Sequence, residues 1–237
     1  MNRISHVFFD AAWTLFGVRG SVGQVYADAA LPYGFAVGPA VIEVRFRTAF
    51  AAAPPMAFPG ADPEELSRLE KEWWFSLMRE AFEPLGPFED FDAYCRDVFE
   101  LFRGKRGWVV YPDVQPALAE LRRQGLQLGV ISNFDSRLYD VLDALGLREY
   151  FDTVTISSRV GAAKPDGQIF EAALGQAGAA AAMSLHVGDD PRQDCAGAQA
   201  AGMNAVLVDR AGRNRNAQWR RIESLSDLLA AGRANAQ

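Results

Sequence analysis

The sequence predicts an α/β protein in which a parallel, Rossmann-like sheet carries an all-helical segment inserted after its first strand. From about residue 109, short apolar runs rich in β-branched residues alternate with longer helical patterns, as expected where helices cover a parallel sheet. Between residues 19 and 107 helical periodicity dominates. We therefore expect a core formed by residues 1–18 and 108–237 and a helical cap formed by residues 19–107.

The elements follow in order along the chain. The expected strands are SHVFFD (5–10), LQLGVIS (126–132), TVTIS (153–157), SLHVGD (184–189) and NAVLVD (204–209). The helices expected between them are DVQPALAELRRQG, SRLYDVLDALGL and PDGQIFEAALGQAG. In the cap, Ser21 and Asp62 are expected to begin two helices, with Pro63 at a first helical position. The stretch RGKRGWVVYPD is expected to be the hinge that returns to the core.

Composition narrows the function classes. A net charge of −6 without a basic run argues against a nucleic-acid or anionic-membrane partner, and the arginines of RAGRNR and WRRIE are interpreted as solvated surface. The two cysteines, Cys95 and Cys195, lie far apart and outside any metal-binding spacing, which favours a reduced compartment. With neither a signal peptide nor a membrane-spanning run, we expect a soluble cytoplasmic protein, either monomeric or dimeric.

Chemically capable side chains follow the expected strands. Asp10 ends the first strand, Ser132 and Asn133 end the second, Lys164 follows the third, and Asp189 ends the fourth. The carboxyl ends of parallel strands meet at one edge of a sheet, where ligands bind. Lys164 is also the only lysine after residue 105 in an arginine-rich chain. The sequence therefore predicts a site with an acid, a hydroxyl and a cation at this edge.

Four motifs in this order resemble those of the haloacid dehalogenase (HAD) superfamily of hydrolases, in the phosphatase-like branch with a helical cap. They are DAAWT at 10–14, VISN with Ser132, GAAKPDGQIF with Lys164, and GDDPRQD with Asp189 and Asp194. The resemblance implies that Asp10, Thr14, Ser132, Lys164 and Asp194 are catalytic. It also implies that Ser132, Asn133 and Lys164 bind the phosphoryl group of a small phosphorylated metabolite.

A metal ion fits the chemistry of such a site. A carboxylate such as Asp10 is able to attack phosphorus and form an acyl phosphate. Two anions approach each other only when a cation lies between them, and oxygen ligands suit Mg²⁺. Asp10 and Asp189 are the expected side-chain ligands, and the resemblance implies the backbone carbonyl of Ala12 as the third protein ligand.

Ala12 departs from the family pattern, DxDxT, in which the second aspartate protonates the leaving oxygen. General acid catalysis is worth about 10² to 10⁴ in rate. Three hypotheses remain open. The first is a phosphatase that prefers good leaving groups or uses another acid, Asp135 or Asp190. The second is a 2-haloacid dehalogenase or a phosphonatase, which also lack that aspartate. The third is a protein that binds metal and phosphate without turnover.

Three further features receive structural interpretations from the sequence. Trp13 is a bulky residue where the family usually has a small or polar one, and it is expected to narrow the mouth of the site. His186 lies inside an apolar strand and is interpreted as a hydrogen-bonded core histidine. Trp73, Trp74 and Phe75 share a helix with apolar residues at helical spacing, which predicts that they belong to the core of the cap.

Overall fold

The computed structural model describes residues 4–229. Its strands are β1 (His6–Phe9), β2 (Phe16–Val18), β3 (Trp108–Val110), β4 (Gln127–Ser132), β5 (Thr153–Ile156), β6 (Ser184–Gly188), β7 (Asn204–Val208) and β8 (Arg220–Ile222). Six of them form one parallel sheet in the order β5-β4-β1-β6-β7-β8. The predicted fold class is confirmed, because the chain forms a parallel α/β sheet with flanking helices.

The helices cover the sheet and fill the insert. They are α1 (Val22–Ala30), α2 (Pro39–Ala52), α3 (Pro63–Phe82), α4 (Phe91–Leu101), α5 (Val114–Arg123), α6 (Arg137–Ala144), α7 (Ser157–Val160), α8 (Gly167–Ala177) and α9 (Gly197–Ala200), with a π-helical turn at Pro191–Ala196. Among residues 4–229 no helix has the length and apolar character needed to cross a membrane.

The three strands that the sequence analysis did not predict are short. β2 and β3 pair antiparallel, and β3 lies in the stretch that was expected to be a hinge. β8 falls in WRRIE, which was interpreted as solvated surface, and this interpretation is wrong for its backbone because β8 pairs in parallel with β7. An edge strand tolerates charged side chains, and only Ile222 of β8 is buried, so the apolar pattern was too weak to predict it.

Helices α1 to α4 lie in the chain between β2 and β3, in residues 19–107, which we call the helical segment. The two expected helix starts are confirmed: Ser21 accepts a hydrogen bond from the backbone N–H of Gln24, and Asp62 accepts two from the first turn of α3. Because β2 and β3 pair with each other in a separate two-stranded sheet, the chain enters and leaves the helical segment at adjacent points.

A row of aromatic rings joins the helical segment to strands β2 and β3. The ring centroids of Tyr26 and Phe102 are 5.5 Å apart, those of Phe102 and Trp108 are 5.3 Å apart, and those of Trp108 and Phe16 are 5.1 Å apart. These residues belong to one hydrophobic cluster that also contains some of the buried side chains of β1 and β4. The helical segment therefore shares a core with the sheet, which restricts its movement relative to the sheet.

Both cysteines are unpaired and buried. Burial raises the pKa of the Cys95 thiol and that of the Cys195 thiol to about 12. Both thiols are therefore protonated at neutral pH and unreactive, as expected for thiols that only fill space.

Candidate active site

Lys164 lies at the centre of a cluster of charged side chains at the carboxyl edge of the sheet. Its Nζ donates hydrogen bonds to Asp10 Oδ1 at 2.6 Å and to Asp194 Oδ1 at 2.5 Å, and all three side chains are buried. Burial lowers the pKa of a lysine, but the charges of the two carboxylates outweigh this effect and raise the pKa of Lys164 above its ordinary value. Lys164 is therefore a fixed cation between the two aspartates.

Asp10 follows β1 and accepts two hydrogen bonds on the same oxygen. Ser132, at the end of the adjacent strand β4, donates its hydroxyl proton to Asp10 Oδ1 at 3.0 Å, and Lys164 donates to that oxygen as well. The other oxygen, Oδ2, accepts no hydrogen bond from the described part of the chain. A carboxylate that is held through one oxygen and free at the other has the geometry of a nucleophile.

Asn133 supports Lys164 through both ends of its side-chain amide. Its Oδ1 accepts a hydrogen bond from the backbone N–H of Lys164 at 2.7 Å, and its Nδ2 donates to the carbonyl of Lys164 at 3.0 Å. The same Nδ2 donates to Gln193 Oε1 at 2.9 Å. Asn133 was expected to bind substrate, but both ends of its amide form hydrogen bonds with protein groups. The side chain fixes the loop that carries Lys164.

Three carboxylates of the site could hold a metal ion. One oxygen from each of Asp10, Asp189 and Asp194 lies within 4.8 Å of the other two. Burial and the charges of Asp10 and Asp194 raise the pKa of Asp189 to about 8, and burial also raises the pKa of Asp10 above its ordinary value. With Lys164 as their cation, the ionised carboxylates retain two negative charges. A divalent cation that prefers oxygen ligands, such as Mg²⁺, matches this donor set and charge.

The loop between β1 and β2 carries the departure from the family pattern. Ala12 is half-buried and forms an isolated bridge with Phe16. Trp13 has a φ of +65°, in the left-handed region that is unfavourable for a bulky side chain, and 47% of its surface is exposed. Its ring lies 3.4 Å from the position that a Cβ on Gly17 would occupy. Trp13 is therefore about half exposed, and its narrowing of the mouth of the site stays a prediction.

Arg210 braces the same loop, although RAGRNR was interpreted as solvated surface. Its Nη2 donates to the carbonyl of Thr14 at 2.9 Å, and its Nη1 forms an ion pair with Asp113 at 3.0 Å. Thr14 in turn donates a long hydrogen bond of 3.5 Å to Asp189 Oδ1. The interpretation of Arg210 as solvated is therefore wrong. A single arginine inside a polar stretch gives no sequence pattern that would predict such an anchor.

The two candidate substitutes for a missing general acid are both engaged elsewhere. Asp135 is fully buried and forms an ion pair with Arg137 at 2.6 Å, and the charge of Arg137 outweighs burial and holds the pKa of Asp135 below its ordinary value. Asp190 Oδ1 accepts hydrogen bonds from the backbone N–H groups of Arg192 and Gln193 at the start of the π-helical turn. Both oxygens of Asp135 therefore accept hydrogen bonds, and Asp190 is held through Oδ1 as the cap of the π-helical turn.

The helical segment is bound to the loop that follows Ser132. Trp74 Nε1 donates to Asp135 Oδ2 at 2.6 Å, and Glu70 Oε1 accepts hydrogen bonds from both the N–H and the hydroxyl of Ser136 at 2.9 Å. The guanidinium of Arg137 lies 5.1 Å from the Trp74 ring centroid. Trp74 was expected in the core of the cap, but it is only half-buried and contacts the loop beside the site.

A parallel α/β sheet carries helices inserted after β2 and a buried aspartate and lysine at its carboxyl edge, which places a candidate active site at the ends of the strands. The model of the haloacid dehalogenase-like hydrolases matches residues 4–202. The chain belongs to this family.

Known proteins of two activities are similar to it. The chain is 36% identical over 233 residues to the haloacid dehalogenase-like hydrolase domain-containing protein 3 of Mus musculus, covering 94% of this chain and 91% of that one. The HAD phosphatase from Thermococcus onnurineus is 25% identical, with a TM-score of 0.68 and coverage of 98% and 97%. The 2-haloacid dehalogenase from Pseudomonas syringae is 29% identical, with a TM-score of 0.66 and coverage of 98% and 100%.

Proposed function

We propose that the protein is a Mg²⁺-dependent phosphatase that acts on a small phosphorylated metabolite through an aspartyl phosphate on Asp10. The observation that carries the proposal is a cluster of three carboxylates, Asp10, Asp189 and Asp194. Two of them, those of Asp10 and Asp194, form ion pairs with the single cation Lys164. Buried like charges are costly without a cation, so their presence together favours a metal-dependent reaction. In this proposal residues 19–107 form the cap over a core of residues 1–18 and 108–237.

The chain's own residues divide the work in the first step. Asp10 Oδ2, the oxygen without a protein hydrogen bond, forms a bond to phosphorus while the bond from phosphorus to the leaving oxygen breaks. Ser132 and Lys164 hold Asp10 through Oδ1 and stabilise charge on the phosphoryl oxygens. Asp10, Asp189 and the carbonyl of Ala12 would hold Mg²⁺, which would supply positive charge between the two anions.

The second step regenerates the carboxylate. Water attacks phosphorus while the bond from phosphorus to Asp10 Oδ2 breaks, inorganic phosphate leaves, the proton of the water passes to solvent, and Asp10 returns to its ionised form. In both steps a methyl group at Ala12 stands where the family pattern has an acid, and Asp135 and Asp190 are engaged in other hydrogen bonds. The natural substrate is therefore expected to have a leaving group that needs no proton, as in acyl or aryl phosphates.

Phosphate release from an aryl phosphate tests the proposal. We expect turnover by the wild-type protein with Mg²⁺, and none with a chelator or in Asp10→Asn. Asp62→Asn is the matched control, because asparagine caps the exposed start of α3 as well as aspartate does, and it should keep full activity. Mass spectrometry after incubation with acetyl phosphate should show one phosphoryl group on Asp10. Equal activity in Asp10→Asn, or activity that survives the chelator, would contradict the proposal.

Dehalogenation is the second candidate, favoured by Ala12 and by the similarity to the dehalogenase from Pseudomonas syringae. Halide leaves without a proton, so this reaction does not require an acid at position 12. The carboxylate of Asp189 has no task in a metal-free displacement, which is why we rank dehalogenation second. Release of chloride from 2-chloropropionate in the presence of chelator would favour this candidate over the phosphatase. Failure of both assays would leave a protein that binds metal and phosphate without turnover.

A further inference from the structure

His186 is a polar side chain in the middle of the buried strand β6. It is fully buried, and its ring packs edge-on against Phe170 with the centroids 5.4 Å apart. Its Nε2 lies 3.0 Å from Asp194 Oδ1, the oxygen that also accepts the hydrogen bond from Lys164. His186 is therefore one hydrogen bond away from the lysine of the site.

The surroundings decide which ring nitrogen carries the proton. Asp194 Oδ1 already accepts the hydrogen bond from Lys164 Nζ, and Oδ2 accepts one from the backbone N–H of Asp190, so both oxygens of this carboxylate act as acceptors. Nε2 must then be a donor. Nδ1 is buried and has no hydrogen-bond partner among the described residues, so a proton there would be unsatisfied. Both observations favour the Nε2–H tautomer.

Asp194 is held from three sides. Lys164 and His186 donate to Oδ1, and the backbone N–H of Asp190 donates to Oδ2 at 2.9 Å. The strand backbone lies so close that a Cβ on Gly188 would be 2.2 Å from Asp194 Cγ. The carboxylate therefore has little room to move while its donors stay in place.

We propose that His186 is a positioning residue, whose Nε2–H fixes Asp194 Oδ1 so that Asp194 holds Lys164 against Asp10. The hydrogen bond and the tautomer stand on the structure alone, whereas the effect on turnover rests on the proposed function. Such partners of catalytic groups typically contribute about 10- to 100-fold in activity.

Nitrogen-15 NMR of the wild-type protein without metal tests the tautomer independently of any activity. The chain has two histidines, so the signals of His186 are assigned by their loss in His186→Gln. We expect a proton on Nε2 and an unprotonated Nδ1. A neutral ring with its proton on Nδ1 would overturn the proposal, and this result does not depend on whether the protein is a phosphatase.

Two substitutions test the positioning role. His186→Phe keeps the ring against Phe170 and removes the donor, whereas His186→Gln keeps an N–H at a similar reach. We expect kcat per folded molecule to fall about 10- to 100-fold in His186→Phe with KM nearly unchanged, and to recover in His186→Gln. The control is His6→Gln, since His6 bonds to exposed Gln127. A wild-type kcat in folded His186→Phe, or an equal loss in both variants, would overturn the role.

Discussion

Gly188→Ala should disable the site by displacing Asp194. A Cβ at this position would lie 2.2 Å from Asp194 Cγ, against an ordinary contact of 3.4 Å or more, so the carboxyl group must retreat by about 1.2 Å, the difference between the two. Its hydrogen bond from Lys164 Nζ is 2.5 Å long, and such a retreat takes it beyond hydrogen-bond range. Because misplacing a catalytic group by about 1 Å costs roughly 10²-fold in rate, we expect kcat to fall about 100-fold.

Gly129→Ala is the matched control for this prediction. Gly129 is also a strand glycine of the same sheet, and its Cβ would lie 2.6 Å from Thr153 Oγ1 and 2.7 Å from a ring carbon of Phe8, away from the charged cluster. Overpacking of this kind lowers the free energy of unfolding by about 1–3 kcal/mol, and we expect both variants to lose stability in this range. Only Gly188→Ala should lose kcat.

The assay combines aryl phosphate hydrolysis, expressed per folded molecule, with urea unfolding of the same samples. A wild-type kcat in folded Gly188→Ala would contradict this prediction, because the position of Asp194 would then not matter for turnover. An equal loss of kcat in Gly129→Ala and Gly188→Ala would also contradict the prediction, because the loss would then come from distortion of the sheet.

Three further predictions concern the acid, the helical segment and the metal. Ala12→Asp restores a carboxyl group, so phosphate release from an alkyl phosphate, which needs a general acid, should rise by about 10² to 10⁴; no gain would contradict this. Trp74→Phe removes the 2.6 Å hydrogen bond to buried Asp135, so urea unfolding should show a loss of about 1.5–3 kcal/mol. The loss should be smaller for Trp73→Phe, which removes a bond to a neutral carbonyl. The pKa of Asp189 is raised to about 8 in the metal-free fold, whereas the unfolded chain releases this proton near pH 4. This contribution to stability is therefore full below about pH 4 and is lost as the pH rises from about 4 to about 8. Mg²⁺ must displace that proton, and its effect on Tm should be larger at pH 8.5 than at pH 6.5; an equal effect would contradict this reasoning.

The α/β class and the positions of the main strands along the chain are predictable from the sequence. Strands buried on both faces must be almost continuously apolar, and such apolar runs are visible in the sequence. The same reasoning predicted Asp10, Ser132, Lys164 and Asp189 at one edge, because each follows a strand of a parallel sheet. The sequence also predicted Ser21 as the N-cap of α1, since the residues that cap a helix lie within one turn of its end.

Hydrogen bonds between residues far apart in the chain follow from the tertiary structure and not from a local sequence pattern. The donation from Trp74 to Asp135 and the anchoring of Thr14 by Arg210 join residues separated by 61 and 196 positions in the chain. No local pattern encodes such pairs. His186 shows the limit most clearly: the apolar strand correctly predicted a buried, hydrogen-bonded histidine, but the partner depends on how the π-helical turn folds back over β6. Periodicity reports which face of an element is buried, whereas hydrogen bonds depend on distances of a few ångströms that only the packed chain fixes.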